Sequence, residues 1–171
     1  EAFASLPSLD DLVAYWKMDE AGSVPRIDSS GNAHTLTVNA AVNSTTGKIN
    51  NGADGSAGYL FTNDTAFAAA GPFTAFCWAR PINTVTNGAV LGHFTSTGPS
   101  GWKIQQQFND RWSFVTGAIQ VEHTTAIVAG TYFLLIVTSD GAGNGTIRVN
   151  NGADVAGAVV IGNPAIPFRV L

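Results

Sequence analysis

Residues 130–152 read GTYFLLIVTSDGAGNGTIRVNNG, and this stretch predicts two paired β-strands. Residues 132–137 are apolar at every position, as expected of a central strand that is covered on both faces. After the glycine-rich segment 140–145, Ile147 and Val149 alternate with polar residues. This alternation is typical of a strand with one face buried and the other exposed to solvent. The Asn-Gly pair that closes the stretch favours a turn. We therefore expect an antiparallel hairpin here.

The rest of the chain repeats this organisation. Short runs rich in β-branched and aromatic residues alternate with clusters of Gly, Asn, Asp and Pro, and helical periodicity is nearly absent. The intervals between runs are close to the ~8–12 residues that are typical of a sandwich or barrel. We predict an all-β, antiparallel domain whose strands are residues 12–17, 35–38, 58–61, 73–80, 89–94, 102–108, 111–116, 119–124, 132–139, 146–150, 155–161 and 168–171.

Composition excludes several classes of protein. Of the 171 residues only 12% are charged, and the formal net charge is −4. The eight basic residues are spread singly, so we expect no nucleic-acid partner, which would require clustered Lys and Arg. The densest apolar run, residues 133–137, is far too short to span a bilayer, so we expect no membrane insertion. With Cys77 as the single cysteine, no disulfide can form within the chain.

Four segments carry motifs in a recurring order. They are residues 12–38 (LVAYWKMDEAGSVPRIDSSGNAHTLTV), 46–61 (TGKINNGADGSAGYLF), 73–81 (FTAFCWARP) and 130–152. In this order they resemble the laminin-G-like group of the concanavalin A-like lectin/glucanase superfamily. The resemblance implies a jelly-roll β-sandwich that covers residues 12–171, preceded by a lead-in segment at residues 1–11. The V-N-N-G variant and the low charge also resemble versions encoded by bacteriophages.

The end of the chain departs from the family pattern. Members of the family usually close with one more strand, whereas this sequence stops at PFRVL, residues 167–171. The resemblance therefore implies a missing last strand, and the open edge would be an assembly surface for another chain. The alternative is a different strand order, in which residues 168–171 are themselves a covered terminal segment.

Catalysis is not expected from the residues present. A retaining glycosidase needs two carboxyl groups about 5–5.5 Å apart. The glucanase branch supplies them as E-x-D-x-x-E, and Glu1, Glu20 and Glu122 do not occur in that spacing. There is no G-x-S-x-G motif, and Cys77 lies in an apolar run, where it is expected to be a buried structural residue. The three histidines are expected to be ordinary surface or turn residues.

A structural calcium ion is one hypothesis for the segment around DSSGN. Asp19, Asp28, Ser30 and Asn32 surround one glycine-containing connection, and calcium prefers oxygen ligands of these kinds. We take Asp19, Asp28 and Asn32 as the candidate metal ligands. The alternative, which the local sequence favours, is an Asx-type turn that makes its own hydrogen bonds.

Amide side chains offer a candidate carbohydrate site. Gln105 and Gln107 are expected on the polar side of one strand, with Asn109 in the turn that follows. Amides hydrogen-bond sugar hydroxyls well, although the same residues could simply solvate that face. All four tryptophans lie in apolar strand patterns and are expected in the core, namely Trp16, Trp78, Trp102 and Trp112.

These expectations favour a non-catalytic adhesion or display module on a virion or an extracellular surface. The first hypothesis is a glycan-binding module whose partner is a glycan or a host surface. The alternative is a structural decoration or cement domain of a phage particle, which contacts copies of itself or other structural subunits. The fold alone does not decide between them.

Overall fold

The computed structural model describes residues 11–67, 71–84, 87–95, 98–162 and 166–170. These residues form strands β1 to β11 and a 3-10 helix at Thr65–Phe67, with no α-helix among them. The chain divides into two compact units, Glu1–Thr62 and Asn63–Leu171. The prediction of an all-β, antiparallel fold is confirmed.

The first unit contains a long hairpin. Strands β1 (Thr37–Thr46) and β2 (Asn51–Thr62) pair antiparallel, with one register shift between Ala41 and Asn43. Asn50 has a φ of 54° and its carbonyl accepts a hydrogen bond from the amide of Gly47, which closes the turn. Both strands are longer than the sequence predicts, because continuous backbone pairing extends them through Asn, Ala and Gly residues of low β-propensity.

The predicted strand at residues 12–17 is not formed as a strand. This segment makes one isolated bridge, Trp16 to Asp28, and a second bridge joins Arg26 to Leu36. The Trp16 indole Nε1 donates a hydrogen bond of 2.7 Å to the carbonyl of His34. Side-chain hydrogen bonds therefore hold this segment in place of a regular backbone ladder.

The second unit is a sandwich of two antiparallel sheets. The front sheet has the order β11-β4-β5-β6-β7, and the back sheet has the order β10-β9-β8-β3. The front strands are β4 Ala89–Thr95, β5 Gly98–Gln106, β6 Arg111–Thr116, β7 Ile119–Ala126 and β11 Phe168–Val170. The back strands are β3 Phe73–Ala79, β8 Phe133–Ser139, β9 Asn144–Val149 and β10 Val155–Ala158.

The hairpin expected at residues 130–152 is the β8–β9 pair. Its register runs from Leu135 opposite Val149 to Ser139 opposite Gly145. β8 lies between β3 and β9, as expected of a central strand. Burial alternates along it, however, because its outward side chains are only half-buried.

Aromatic side chains pack between the two sheets, and a glycine allows the sheets to approach closely. Phe73 of β3 stacks on Trp102 of β5 with ring centroids 4.7 Å apart. A Cβ added at Gly145 of β9 would lie 2.8 Å from Cε1 of Phe114 in β6. The absence of a side chain at Gly145 thus allows the back sheet to approach the front sheet closely. Trp102 and Trp112 are buried, which confirms the core expectation for both.

The core expectation is wrong for Trp78. This side chain is 45% exposed, and β3 is the end strand of the back sheet as described. The run at residues 73–79 is apolar at nearly every position, but only its odd-numbered positions face the core. Period-two alternation sends Phe76 and Trp78 to the outer face.

A second correction concerns the predicted strand at residues 102–108, which is shorter than expected. β5 ends at Gln106, and Phe108 lies in the following turn with 69% of its surface exposed. The turn itself follows the prediction, since Asp110 has a φ of 59° and the Gln107 amide donates to the Arg111 carbonyl.

The last described strand is paired and partly buried. β11 pairs antiparallel with β4, from Phe168 opposite His93 to Val170 opposite Leu91. Phe168 is buried and stacks on Phe67 with ring centroids 4.6 Å apart. Leu171 and most of the predicted lead-in segment lie outside the described residues, so the domain boundaries and the missing strand stay predictions.

Candidate functional site

The predicted carbohydrate-binding amides differ in their accessibility. Gln105 is only 4% exposed, and its Nε2 donates a hydrogen bond to Oδ1 of Asn87. Gln107 is half-buried just after β5, and its backbone takes part in the turn. Asn109 is exposed, and its Nδ2 donates a hydrogen bond of 2.9 Å to Oε2 of Glu122.

A row of polar residues crosses the outer face of the front sheet at this point. Gln105 lies opposite Ser113, and Ser113 lies opposite Glu122 in the strand register. The row thus connects Gln105 to Asn109 through Glu122. Because Gln105 and Ser113 are buried, a ligand could reach little of this row except Asn109 and part of Glu122. The role of Gln105, Gln107 and Asn109 in sugar binding stays a prediction.

Asp28 is the centre of a closed hydrogen-bond network in the first unit. Its Oδ1 accepts from the amides of Tyr15 and Ser30 at 2.9 and 2.8 Å. Its Oδ2 accepts from the Ser30 hydroxyl at 2.8 Å and from the His34 amide at 3.0 Å. Burial alone would raise the pKa of Asp28, but these hydrogen bonds outweigh burial and lower the pKa to about 2.

The other two candidate calcium ligands also make ordinary contacts. Nδ2 of Asn32 donates to the carbonyls of Leu12 and Val13 at 2.7 and 3.1 Å. The Asp19 carbonyl accepts a hydrogen bond of 3.1 Å from Nδ2 of Asn51. The four donors on Asp28 fill the acceptor positions of its carboxylate, so a cation would have to displace them. These contacts fit the Asx-type turn, and the described residues contain no group of three or more His, Cys, Asp or Glu that could hold a metal ion. Calcium binding stays a prediction.

Two histidines are buried, contrary to the expectation that they lie at the surface or in turns. His93 on β4 is 3% exposed, and burial lowers its pKa. His123 on β7 is 4% exposed, with Nε2 3.2 Å from the Ala153 carbonyl and Nδ1 accepting from the Thr125 amide. The burial of both rings was not evident from the sequence pattern.

The outer face of the back sheet carries a group of apolar side chains, including Trp78, which was expected in the core. Phe76 is 54% exposed and Trp78 is 45% exposed, and both point outward from β3. In the register with β8, Phe76 lies opposite Ile136 and Trp78 lies opposite Leu134. We call these four residues the aromatic face.

A charged pair lies beside the aromatic face. Arg148 of β9 is opposite Ile136 in the register and also points outward. Its Nε and Nη2 donate hydrogen bonds of 2.7 and 2.9 Å to the two carboxylate oxygens of Asp154. Each side chain of the pair is 45% exposed. The outer face therefore combines aromatic rings with hydrogen-bond donors and acceptors, and this combination suits stacking and hydroxyl recognition together.

The sequence contained a signal for this face. The run FTAFCWA places aromatic residues at both even and odd positions, so a strand with only one face in the core must expose some of them. What the sequence could not give is the position of β3 in the sheet. That position follows from its pairing with β8, far along the chain.

The chain is similar to known proteins in structure, whereas no match was found from its sequence. No family model matches the chain, and no curated protein matches it. Domain 4 of AbnA, a GH43 extracellular arabinanase from Geobacillus stearothermophilus solved with arabinotriose, has a similar structure. The two share 16% sequence identity with a TM-score of 0.67, over 92% of this chain and 82% of that chain.

Binding domains of two toxins are also similar. The binding domain of Paraclostridial Mosquitocidal Protein 1 shares 13% identity with a TM-score of 0.63, over 90% of this chain and 45% of that chain. The binding domain of botulinum neurotoxin DC was solved with SialylT and with rat synaptotagmin II. The SialylT complex gives 13% identity and a TM-score of 0.58, over 89% of this chain and 43% of that chain.

These likenesses concern the fold. The chain spans less than half the length of the toxin binding domains that it matches. Within the described residues, no helix has the length and hydropathy that crossing a membrane would require. The chain shares an antiparallel β-sandwich fold with these domains.

Proposed function

We propose that this chain is a non-catalytic glycan-binding module that works outside the cell. The observation that carries the proposal is the aromatic face, where Phe76 and Trp78 are exposed on a sheet beside the Arg148–Asp154 pair. Exposed aromatic rings provide flat surfaces for sugar rings, and grouped exposed apolar side chains often mark binding sites. Similar domains solved with arabinotriose and with SialylT support a carbohydrate partner.

The contacts of Glu20 and Glu122 support the non-catalytic part of the proposal. Oε1 of Glu20 accepts a hydrogen bond of 2.7 Å from the Ile27 amide, and Oε2 lies 3.7 Å from Nε of the buried Arg26. Glu122 is bonded to Asn109. Each carboxylate thus has a local structural partner, whereas glycoside hydrolysis needs two carboxyls that flank a sugar.

A glycan array tests the proposal directly. The purified chain should bind a subset of immobilised glycans, and Trp78→Ala should abolish or greatly weaken that binding. Phe108→Ala is the matched control, because Phe108 is equally an exposed aromatic residue but lies in the β5–β6 turn. Binding that survives Trp78→Ala unchanged would remove the aromatic face from the proposal.

The location and family of the module are further parts of the proposal. The motif order supports a laminin-G-like assignment, and the V-N-N-G variant with low charge supports display on a phage virion. The arabinanase that contains a similar domain is itself extracellular, which is equally in line with a secreted protein. Immunogold labelling of purified virions, or of the secreted fraction of the source cells, separates the two locations.

A decoration or cement domain is the second candidate function. It is favoured by the apolar character of the aromatic face and by the position of β3 at the end of the described back sheet. An end strand with apolar side chains can accept another protein chain. A purified chain that ignores every glycan but forms concentration-dependent assemblies, lost in Phe76→Ser, would favour this function.

A calcium requirement is tested separately. If Asp19, Asp28 and Asn32 hold calcium, a chelator should lower the melting temperature and Asp28→Asn should abolish the effect. An unchanged melting temperature in chelator would leave the Asx-type turn as the sole role of Asp28.

A further inference from the structure

We infer, on the basis of the proposed glycan-binding function, that the aromatic face selects neutral linear oligosaccharides of two or more sugar units over acidic glycans. The inference deepens the proposed function, because it names the class of glycan. The inference rests on two observations, namely the spacing of Phe76 and Trp78 along β3 and the mutually neutralised Arg148–Asp154 pair beside them.

The spacing of the two rings sets the length of the ligand. Phe76 and Trp78 are separated by one inward-facing residue, Cys77. Residues i and i+2 of a strand are about 6.6–6.8 Å apart, which is more than the width of one sugar ring. The two rings are therefore separate stacking positions along the direction of β3, and one monosaccharide can occupy only one of them.

The surroundings of the rings suit the C–H face of a sugar. Ile136 and Leu134 lie opposite Phe76 and Trp78 in the register and are half-buried beside them. The four side chains form one apolar surface across two strands. Sugars with few axial hydroxyls present a matching apolar face, since their polar groups point outward from the ring edge.

The charged pair sets the preference for neutral sugars. Asp154 accepts two hydrogen bonds from the guanidinium of Arg148, in the bidentate geometry that neutralises both charges locally. The hydrogen bond from Arg148 also lowers the pKa of Asp154, so this carboxylate is ionised at neutral pH. An acidic sugar would have to compete with Asp154 for Arg148 and would meet its negative charge.

A hydroxyl group meets no such obstacle. The pair retains Nη1 of Arg148 as a donor and carboxylate lone pairs of Asp154 as acceptors, and a hydroxyl can both donate and accept. The chain as a whole also has a net charge of −4, which does not favour acidic ligands.

The experiment compares matched neutral and acidic glycans on the folded chain. An array carries galacto-oligosaccharides and galacturonate oligosaccharides of equal length, lactose and sialyllactose, and cello- and arabino-oligosaccharides. Titration calorimetry then follows the tightest neutral glycan from monosaccharide to tetrasaccharide. We expect binding to neutral glycans and an affinity that rises about tenfold or more from one to two or three units.

Variants assign the effect to its parts. Phe76→Ala should remove most of the gain with length, whereas Trp78→Ala should weaken binding about tenfold or more at every length. Asp154→Asn should raise affinity for galacturonate or sialylated glycans, because it frees Arg148. Phe108→Ala is the control that should change nothing, and circular dichroism confirms that each variant is folded.

The outcomes separate the two levels of the proposal. Tighter binding of acidic glycans by the unmodified chain, or an affinity that does not change with length, overturns this inference while the proposed function stands. Absence of binding to every glycan on the array, with folded protein, overturns both.

Discussion

Phe73 and Trp78 belong to the same strand, yet Phe73 stacks on Trp102 in the core whereas Trp78 lies 45% exposed on the opposite face. The difference follows from the period of the strand, since odd positions of β3 face the front sheet and even positions face outward. The same strand thus contributes both to the sandwich core and to the aromatic face.

Truncation of Trp112 should destabilise the protein much more than truncation of Trp78. Trp112 is 1% exposed and packs against Phe133 with ring centroids 5.9 Å apart, so Trp112→Ala should cost about 3–5 kcal/mol of unfolding free energy. Trp78→Ala should cost about half as much or less, because nearly half of its side chain is already exposed. Chemical denaturation of both variants measures this contrast, and equal losses would contradict the outward placement of Trp78.

Gly145 should not tolerate a methyl group. An added Cβ would lie 2.8 Å from the Thr138 carbonyl oxygen and 2.9 Å from Cγ1 of Val159, in addition to its contact with Phe114. Overpacking of this kind costs about 1–3 kcal/mol, so Gly145→Ala should lower the denaturation midpoint. Gly71→Ala is the control, because a Cβ there meets nothing within 4 Å. A neutral Gly145→Ala variant would mean that the sheets are less closely packed than described.

Stability should depend on acid through Asp28. Its pKa is lowered from 3.8 to about 2 in the folded chain, so the folded state favours the ionised carboxylate. The stabilisation is complete above about pH 4 and is lost as the pH falls towards 2, and the shift corresponds to about 2 kcal/mol. The difference in unfolding free energy between the unmodified chain and Asp28→Ala should therefore be large at pH 7 and shrink below pH 4. A difference that is constant with pH would refute this role.

Cys77 should be unreactive in the folded chain. It faces inward from β3, and burial raises the pKa of its thiol to about 12. The thiolate is the reactive species, so a disulfide reagent at pH 8 should label the chain only in denaturant. Rapid labelling of native protein would show that the inner side of β3 opens to solvent.

Much of the fold could be predicted from local patterns. The β8–β9 hairpin and the Asn109-Asp110 turn follow from alternation and turn residues, which depend only on neighbours in sequence. The aromatic face could not be predicted in this way. Alternation shows that the two faces of β3 differ, but not that the face with Phe76 and Trp78 is left uncovered, because that depends on elements distant in sequence.

Local sequence is also insufficient to predict the surroundings of the candidate site residues. Gln105 is buried and its side chain is hydrogen-bonded to Asn87, which precedes β4, and neither feature can be read from the sequence of β5. The hydrogen bonds on Asp28 come from Tyr15, Ser30 and His34, of which only Ser30 is a local partner. Local sequence therefore predicts an Asx-type turn there, but not how many donors converge on it.

The pairing of β3 with β8 has a consequence for how the second unit folds. Strands β4 to β7 follow each other in both the chain and the sheet, so each pairing closes a short loop. The β3–β8 ladder, from Phe73 opposite Ser139 to Ala79 opposite Phe133, spans that whole meander and requires a long loop to close. Loop closure costs more entropy as the loop lengthens, and non-local pairings are slow to form. We expect the meander to nucleate folding and β3 to dock late, so that substitutions in β3 mainly speed unfolding and leave the refolding rate almost unchanged.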